Sequence, residues 1–340
     1  MAHIFVPQDD IERKTLMILR ALHEAPGPIG SRIIARRMQE MGAMPSERAV
    51  RYHLRLMDER GLTQLVGRKD GRLITEQGIE ELRRARVRDK VGLAISRIES
   101  LSFQTTFNPE TRRGLLPVNL SLFRRDTFPG VLKFMNGVFQ AGLAVSDLVA
   151  IAAAGERLGD FVVPEGKVGL ATVCSLVVNG VLLKNGIPMD SKFGGILQVE
   201  GREPLRFTEL IYYSGSSLDP SEIFIRGKMT SVGQAVETGN GMILANFREI
   251  PAPCLPLACR LIEELREAGM DGVLKMGDVS EAVCQIPVDV NKIGLILLGG
   301  LNPAAMIQEL GMDVENRGMS ALLDYTALVP FASVFQTFTK

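Results

Sequence analysis

The chain contains 340 residues, of which 46% are apolar, and its 39 Lys and Arg residues balance its 39 Asp and Glu residues. This length suits two or three domains with a sizeable core, and no apolar run is long enough to predict a membrane-spanning helix. The first residues lack the basic and apolar segments of a signal peptide. Four cysteines, at positions 174, 254, 259 and 284, are too few and too irregularly spaced for a disulfide framework. We therefore expect a globular cytoplasmic protein.

The zero net charge hides a basic N-terminal part. Residues 1–90 contain 18 Lys and Arg residues against 13 Asp and Glu residues, and residues 91–340 carry the compensating negative excess. A basic domain joined to a larger one is typical of a nucleic-acid reader attached to a second function. A chance distribution of surface charge is the alternative at so small a difference.

The first 90 residues predict a winged helix. A capping box at Asp9 opens a first helix, Ser31 to Met41 forms a second that Gly42 ends, and Ser46 caps a third that Gly61 ends. The third has an apolar stripe at helical spacing. Two short strands then flank the Asp70-Gly71 hairpin signal. A basic helix follows from Thr75, through Arg83, Arg84, Arg86 and Arg88.

The polar face of the third predicted helix and the tip of the predicted wing form a DNA-binding surface. On a helix in the major groove, guanidinium groups bind guanine edges and phosphates, and a basic wing reaches the backbone or the minor groove. The expected DNA contacts are Ser46, Arg48, Arg51, Tyr52 and Arg55 on the helix, with Arg68, Lys69 and Arg72 on the wing. The alternative is that these charges are solvated on a winged helix used for protein contacts. His53 is expected to be a packing residue.

Residues 91–114 change character and form a connector. Its first part keeps apolar residues that continue a helix or a packed link, whereas SFQTTFNPETRRG is polar and rich in turn residues. We therefore divide the chain into a winged-helix domain at 1–90, a connector at 91–114 and a body at 115–340.

The body predicts an internal repeat with halves at about 115–212 and 241–335. Pro129 and Pro256 are 127 positions apart, and Gly186 and Gly311 are 125 positions apart. Each half has a strand ending in Asn, a proline-led helix, an irregular segment, and a strand that meets a second helix. Residues 216–241, between the halves, predict a strand, a short helix ended by Gly239 and a tight turn. The expected fold is mixed α/β, with two similar packed lobes.

Two junctions between a strand and a helix stand out in the body. In the first half Val168 to Val173 meets Cys174 and Ser175, and in the second half the equivalent strand meets Gly299 and Gly300. A helix start leaves free backbone N–H groups, which suit a small anion. The two glycines allow close approach of a ligand to the backbone.

Candidate catalytic groups in the body are few. The histidines, at positions 3, 23 and 53, all precede the body, so no Ser/His or Cys/His couple is available there. Cys254 and Cys259 have poor spacing for a metal. We predict no catalytic residues, no metal and no enzyme activity. A thiol enzyme using Cys174 is the alternative, because a helix start lowers a thiol pKa, and an apolar packing role for Cys174 is equally open.

The sequence resembles the NrpR family of nitrogen-regulatory transcriptional repressors, described mainly from archaea, over nearly its whole length. The strings that carry the resemblance in the head are RAVRYHLRLMDERGLT and VGRKDGRLITEQGIEEL. Those in the body are GLLPVNLSLF, VGLATVCSLVVNGVLLKNGIP, SLDPSEIFI, MTSVGQAVETGNGMILANFREIPAP and IGLILLGGLNPAA. Some members carry two regulatory bodies in tandem, and this chain has one.

The resemblance implies a homodimeric repressor that binds operator DNA and releases it when 2-oxoglutarate occupies the body. This dicarboxylate suits the two helix starts, because their backbone N–H groups stabilise carboxylates. The expected effector contacts are Asn119, Cys174, Ser175, Asn246, Gly299, Gly300 and Asn302. The alternatives are a winged-helix regulator with a different small ligand, the thiol enzyme, and an adaptor without DNA-binding activity.

Overall fold

The structure is a computed structural model that describes residues 8–41, 43, 45–67, 70–84 and 91–339. The chain divides into two compact units, and the division falls between Ser100 and Leu101, inside the predicted connector. No helix in the described part of the chain is both long enough and apolar enough to cross a membrane. Of the predicted features, Gly42, Arg68, Lys69, Arg86 and Arg88 lie outside the described residues.

The first unit has the elements of a winged helix in the predicted order. They are α1 (Gln8–His23), α2 (Ser31–Glu40), α3 (Glu47–Glu59), β1 (Thr63–Gly67), β2 (Gly71–Ile74), α4 (Glu76–Arg84) and most of α5 (Leu93–Gln104). One apolar core joins the first three helices to the wing. The winged-helix prediction is therefore confirmed.

Local signals set both ends of α3. The Ser46 hydroxyl accepts a hydrogen bond from the Ala49 backbone N–H over 3.2 Å, which stabilises the first turn. Gly61 has φ of +69°, a left-handed conformation that ends the helix at little steric cost. Val50, Leu54 and Met57 are buried along one face. The opposite face is left to the polar residues.

The side chains of the wing do not simply alternate between buried and exposed positions. Leu65 and Val66, which are adjacent on β1, are both exposed, and the pairing with β2 is irregular between Leu65 and Gly67. Gly71 has φ of +98°, and a Cβ there would lie 2.4 Å from the backbone of Ile29. Glycine is thus required where the wing passes close to the loop before α2.

The body begins with β3 and contains the two predicted halves. The first half comprises β3 (Leu115–Arg124), α6 (Phe128–Gln140), β4 (Leu148–Ala152), β5 (Arg157–Leu158), β6 (Phe161–Val162), β7 (Lys167–Val173), α7 (Leu176–Lys184), β8 (Asp190–Glu200) and β9 (Glu203–Tyr212). Two short helices follow, α8 (Pro220–Arg226) and α9 (Val232–Thr238). The second half comprises β10 (Gly241–Pro251), α10 (Leu255–Glu267), β11 (Val273–Val279), β12 (Lys292–Leu298), α11 (Asn302–Glu309), β13 (Val314–Asp324), β14 (Val329–Pro330) and α12 (Phe331–Thr339).

Ten of the twelve strands described in the body form two five-stranded sheets in which the halves are interlocked, and β5 pairs with β6 separately. One sheet has the order β11-β12-β10-β8-β9 and the other β13-β3-β7-β4-β14. Strand β8 of the first half pairs with β10 of the second half, and β13 of the second half pairs with β3 of the first half. Each sheet therefore contains strands from both halves. The lobes are joined by this exchange as well as by packing.

Backbone hydrogen bonds reproduce the register of the repeat. The Cys174 N–H donates to the Pro117 carbonyl over 2.9 Å, and the Gly299 N–H donates to the Leu244 carbonyl over 2.8 Å. The donors are 125 positions apart and the acceptors 127, the two offsets found in the sequence. The repeat therefore extends to individual contacts where strand β7 or β12 meets its helix.

The predicted strand ends at Asn119 and Asn246 are wrong. Strand β3 continues to Arg124 and β10 continues to Pro251, so both Asn residues lie within central strands. Asn119 is paired with Thr172 and Asn246 with Leu297. A buried Asn is tolerated there because its amide has hydrogen-bond partners, which the local sequence does not show.

Two further segments differ from the prediction. The expected strand after Ser216 is a helix, α8, because Asp219 accepts a hydrogen bond from the Ser221 N–H over 2.9 Å and Pro220 suits the first turn. The long antiparallel hairpin of β8 and β9 was not predicted. The helix that ends at Gly239 is confirmed as α9, and Gly239 has φ of +76°.

Candidate functional site

The residues predicted to contact an effector are buried in the body, where the starts of α7 and α11 meet the central strands. Ser175 is the residue immediately before α7, and Leu301, directly after Gly299 and Gly300, is the residue immediately before α11. Asn119, Cys174, Ser175, Asn246 and Asn302 are all 5% exposed or less. The structure thus brings the predicted residues of both halves into one interior region. Their role as ligand contacts stays a prediction.

Ser175 is the centre of a polar cluster between the halves. Its Oγ accepts hydrogen bonds from Asn246 Nδ2 and from Arg248 Nη2, each over 3.2 Å. The Tyr213 hydroxyl donates a short hydrogen bond to Asn246 Oδ1. Burial raises the pKa of Tyr213 well above its ordinary value, so the phenol stays protonated as a donor. We call Ser175, Tyr213, Asn246 and Arg248 the Ser175 cluster.

Arg248 is the unusual member of this cluster, because a guanidinium that is 1% exposed normally has a carboxylate partner. Among the described residues Arg248 forms no ion pair, its Nη1 lies 3.9 Å from the Met189 sulfur, and its Nε has no hydrogen-bond partner. Burial lowers its pKa, an effect that Tyr213 and, electrostatically, Asp219 oppose. The cluster is therefore a buried cationic donor set.

The equivalent junction in the other half is uncharged and closely packed. Asn119 accepts a hydrogen bond from the Met319 N–H over 3.0 Å, and the Thr172 hydroxyl donates to the Gly300 carbonyl over 2.9 Å. A Cβ on Gly300 would lie 2.4 Å from Asn119 Nδ2 and 2.5 Å from the Val173 carbonyl. The space beside Gly300, which was expected to admit a ligand, is thus filled by atoms of Asn119 and Val173.

Gly299 and Asn302 pack and hydrogen-bond at the start of α11. A Cβ on Gly299 would lie 2.5 Å from the Leu244 Cβ. The Asn302 amide accepts from the Leu244 N–H over 2.8 Å and donates to the carbonyls of Leu143 and Leu244 over 3.1 and 3.2 Å. These contacts use both amide protons of Asn302 and fix the start of α11 on β10.

Cys174 is buried and lies beside the Ser175 cluster, where it acts electrostatically on Arg248 and Tyr213. The body has no His to act as a base toward it. Its packing and ligand roles both stay predictions.

Three acidic side chains outside this region lie in the arrangement of a metal site. Asp190, Glu249 and Asp289 have carboxylate oxygens close enough to share one ion. The Lys192 ammonium, however, lies 2.8 Å from Asp190 and Asp289 and 3.1 Å from Glu249. Burial opposes its charge, but the hydrogen bonds that the Lys192 ammonium donates to the three carboxylates outweigh burial and raise the Lys192 pKa. An ammonium therefore already fills the place of a metal ion.

On the winged helix, the predicted DNA contacts on α3 lie on its outer face. Ser46, Arg48, Arg51, Tyr52 and Arg55 are all exposed. Arg51 forms an ion pair with Glu47 over 3.1 Å, and Arg55 with Glu59 over 3.5 Å. Exposed pairs of this kind contribute little stability and are readily exchanged for phosphate.

The wing residues have mixed placements. Arg72 donates from Nε to Asp58 over 2.8 Å, and Asp58 also accepts from the Thr63 hydroxyl. Arg72 therefore ties the wing to α3 and is half-buried, whereas a DNA contact was predicted from its place near the wing tip. Arg68 and Lys69 lie outside the described residues. His53 is half-buried beside Tyr52, with ring centroids 5.8 Å apart.

Sequence reasoning missed Arg248 as a site residue. The signal was present, since FREIP follows directly on the apolar strand MILAN, and a charged residue in a buried strand requires a partner. The strand was expected to end two residues earlier, at Asn246. Arg248 was therefore placed in a loop.

Two family models match the chain. The Ribonuclease R winged-helix domain matches residues 16–82, and the NrpR regulatory domains NRD1 and 2 match residues 91–329. A winged helix followed by a mixed α/β regulatory body is the architecture of a transcription regulator.

Curated relatives identify the family. The global nitrogen regulator NrpRI of Methanosarcina mazei is 41% identical over 94% of this chain and 98% of its own length. The global nitrogen regulators NrpR of Methanocaldococcus jannaschii and Methanococcus maripaludis are 35% and 32% identical, and this chain spans only 55% and 54% of their lengths. The chain belongs to the NrpR family of nitrogen regulators, as its sequence resemblance indicated.

A solved structure has a similar fold. The crystal structure of a nitrogen repressor-like protein from Methanococcus jannaschii covers 70% of this chain and 98% of its own, with a TM-score of 0.58. At 24% identity, this likeness supports the mixed α/β fold alone.

Proposed function

We propose that this protein is a homodimeric DNA-binding repressor of nitrogen-assimilation genes, relieved by 2-oxoglutarate that binds in the body, and that it acts in the cytoplasm. The observation that carries the DNA-binding part is the outer face of α3, where arginines and a tyrosine are exposed opposite a fully buried apolar stripe. Membership of a family of nitrogen regulators supports the choice of target genes.

The chemistry of α3 suits the major groove. Arg48, Arg51 and Arg55 extend from one helix face, and each guanidinium can donate two parallel hydrogen bonds to a guanine edge or to a phosphate. In a dimer, two such helices bind half-sites whose spacing must match the distance between them. A change in that distance therefore changes operator affinity.

The body offers a place from which an effector can act on that distance. The Ser175 cluster combines Ser175 from the first half with Tyr213, Asn246 and Arg248, and it joins strands of both halves. A dicarboxylate such as 2-oxoglutarate complements buried cationic donors and a helix start. Binding shifts the protein toward one arrangement only if the ligand prefers that arrangement.

Operator binding with and without effector tests the proposal. Operator affinity is measured at one fixed salt concentration, because phosphate contacts make binding salt-dependent. Saturating 2-oxoglutarate should lower the affinity, whereas a panel of other small acids at the same ionic strength should leave it unchanged. Equal affinity with and without 2-oxoglutarate would refute the effector, and release by a different acid would reassign it.

A further inference from the structure

We infer that each chain has a single carboxylate-binding site, centred on the Arg248 guanidinium, and that the repeat-related position in the first half has no such site. This inference rests on the proposed effector function and assigns the residue that binds the acid. It also fixes the number of ligands per chain, which the two helix starts left open.

The buried charge of Arg248 is unfavourable without a partner. A guanidinium removed from water is unfavourable unless anions and hydrogen-bond acceptors compensate it. Arg248 is 1% exposed, forms no ion pair with another described residue, and has an Nε without a hydrogen-bond partner. A bound carboxylate would supply both the missing charge and the missing acceptor, through a two-point contact that arginine favours.

A second polar atom without a hydrogen-bond partner lies on α7, the helix that begins after Ser175. Asn179, one turn after Ser175 on α7, is buried and donates from Nδ2 to the Ser191 hydroxyl over 3.1 Å. Ser191 is the residue paired with Arg248 between β8 and β10. The other terminal atom of the Asn179 amide has no hydrogen-bond partner. Two incompletely bonded polar groups thus border the start of α7, as expected of a polar site built for a ligand.

The repeat supplies an internal comparison. Position 248 corresponds to Ser121 at the 127-residue offset, and Ser191 corresponds to Asn316 at the 125-residue offset. Ser121 and Asn316 are paired between β3 and β13, and the Ser121 hydroxyl donates to Asn316 Oδ1 over 2.8 Å. Where the second half has a charged, incompletely bonded arginine, the first half has a short, neutral, satisfied pair.

The helix start beside that neutral pair is also blocked. Gly300 corresponds to Ser175 at the 125-residue offset, and a Cβ on it would lie within 2.5 Å of Asn119 and Val173. A ligand larger than a methyl group would meet the same atoms. The charge of Arg248 and the obstruction at Gly300 therefore both favour the Arg248 position.

Calorimetric titration of the full chain with 2-oxoglutarate tests the inference. The wild type should bind one ligand per chain, and Arg248→Met should weaken binding by at least about 30-fold, because a charge-assisted contact is lost. Without ligand, Arg248→Met should keep or raise the melting temperature, since an apolar side chain of similar length replaces a poorly compensated charge. Arg260→Met changes an exposed arginine on α10 and should bind as the wild type does.

Ser175→Ala provides a second variant in case Arg248→Met folds poorly. It keeps the guanidinium but removes the hydroxyl that orients it, and it should weaken binding by roughly tenfold. Unchanged affinity in Arg248→Met, or in folded Ser175→Ala if the first variant does not fold, would overturn the assignment of the residue. Two ligands per wild-type chain would overturn the single site. Absence of binding to the wild type would instead overturn the proposed effector function.

Discussion

Arg248 Nη2 donates a hydrogen bond to Ser175 Oγ over 3.2 Å, and this contact joins strand β10 of the second half to the start of α7 in the first half. Ser175 lies at the end of β7 in one sheet, whereas Arg248 lies in the other sheet. A ligand that exchanges this hydrogen bond for its own would therefore act on the junction between the two sheets. Loss of this contact on ligand binding would therefore allow the two sheets of the body to move relative to each other.

Ser175→Ala should lower the free energy of unfolding of the body by about 1–3 kcal/mol, because two buried donors, Asn246 Nδ2 and Arg248 Nη2, lose their shared acceptor. Urea denaturation measures the change. Ser333→Ala, on the exposed side of α12, serves as the control and should stay within about 0.5 kcal/mol of the wild type. Equal, small effects of both substitutions would mean that the Ser175 hydroxyl is dispensable.

The turn at Cys284 and Gln285 stores backbone strain. Both residues have positive φ, +47° and +68°, in a tight turn closed by two hydrogen bonds of 3.0 Å between Val283 and Ile286. At the 125-residue offset the first half has Gly159 with φ of +61° in the position of Cys284. The second half therefore has a non-glycine residue, Cys284, in a left-handed position that glycine occupies in the first half.

Gln285→Gly should raise the free energy of unfolding by about 0.5–1 kcal/mol, since relief of the left-handed strain exceeds the entropy that glycine adds to the unfolded chain. Glu281→Gly, in the same exposed loop but without positive φ, should lower it by about 0.5–1 kcal/mol. Urea denaturation of both variants checks the prediction. A loss of stability in Gln285→Gly equal to that in Glu281→Gly would contradict it.

Lys192→Met should destabilise the body by about 2–3 kcal/mol, because the Glu249 carboxylate, with a side chain 2% exposed, would keep Lys292 at 4.0 Å as its only described cationic partner. The value is reduced from that of a fully buried pair because a quarter of the Lys192 side chain is exposed. Arg260→Met, at an exposed pair, should change stability by less than about 1 kcal/mol. A similar loss for both variants would contradict the special role of Lys192.

The difference in the free energy of unfolding between the wild type and Lys192→Met should depend on pH, because the Lys192 pKa is raised in the folded protein. A group whose pKa is higher in the folded state contributes its full stabilisation below its ordinary value, here 10.5, and loses it as the pH rises above that value. At the acid end, the hydrogen bond from Lys192 lowers the Asp289 pKa, so that contribution is lost as the pH falls below 3.8. The difference between wild type and Lys192→Met should therefore be constant between these limits and shrink outside them.

On the winged helix, Arg51→Ala should reduce discrimination between operator and random DNA by about 1–3 kcal/mol, because a base contact is lost. Lys69→Ala should weaken binding to both DNAs and reduce the salt slope by about one. Fluorescence anisotropy titrations at several salt concentrations separate the two effects, with Arg260→Ala in the body as the control. Identical behaviour of Arg51→Ala and Lys69→Ala would show that base and phosphate contacts are wrongly divided between helix and wing.

Features encoded by neighbouring residues were predictable from the sequence. Ser46 and Gly61 bound α3, and Gly186 and Gly311, with φ of +80° and +73°, follow the helices that begin after Ser175 and Gly300. Caps and left-handed glycines act within one turn of helix, so a short stretch of sequence is enough to reveal them.

Features that depend on strand pairing were not predictable. The exchange of β8 and β13 between the sheets joins segments that are far apart in sequence. Asn119 and Asn246 are typical of strand ends by composition, yet partners such as the Met319 N–H and the Tyr213 hydroxyl satisfy them within strands. Arg248 is buried because β10 continues past Asn246, and that continuation depends on pairing with β8 and β12.

Operator titrations of the wild type and Arg248→Met test most directly whether a ligand bound at Arg248 controls DNA binding by the winged helix. With saturating 2-oxoglutarate at fixed salt, the wild type should lose operator affinity, whereas Arg248→Met should bind the operator equally well with and without the acid. If the acid releases both proteins equally, or leaves the wild type bound with unchanged affinity, the control of DNA binding through Arg248 is contradicted.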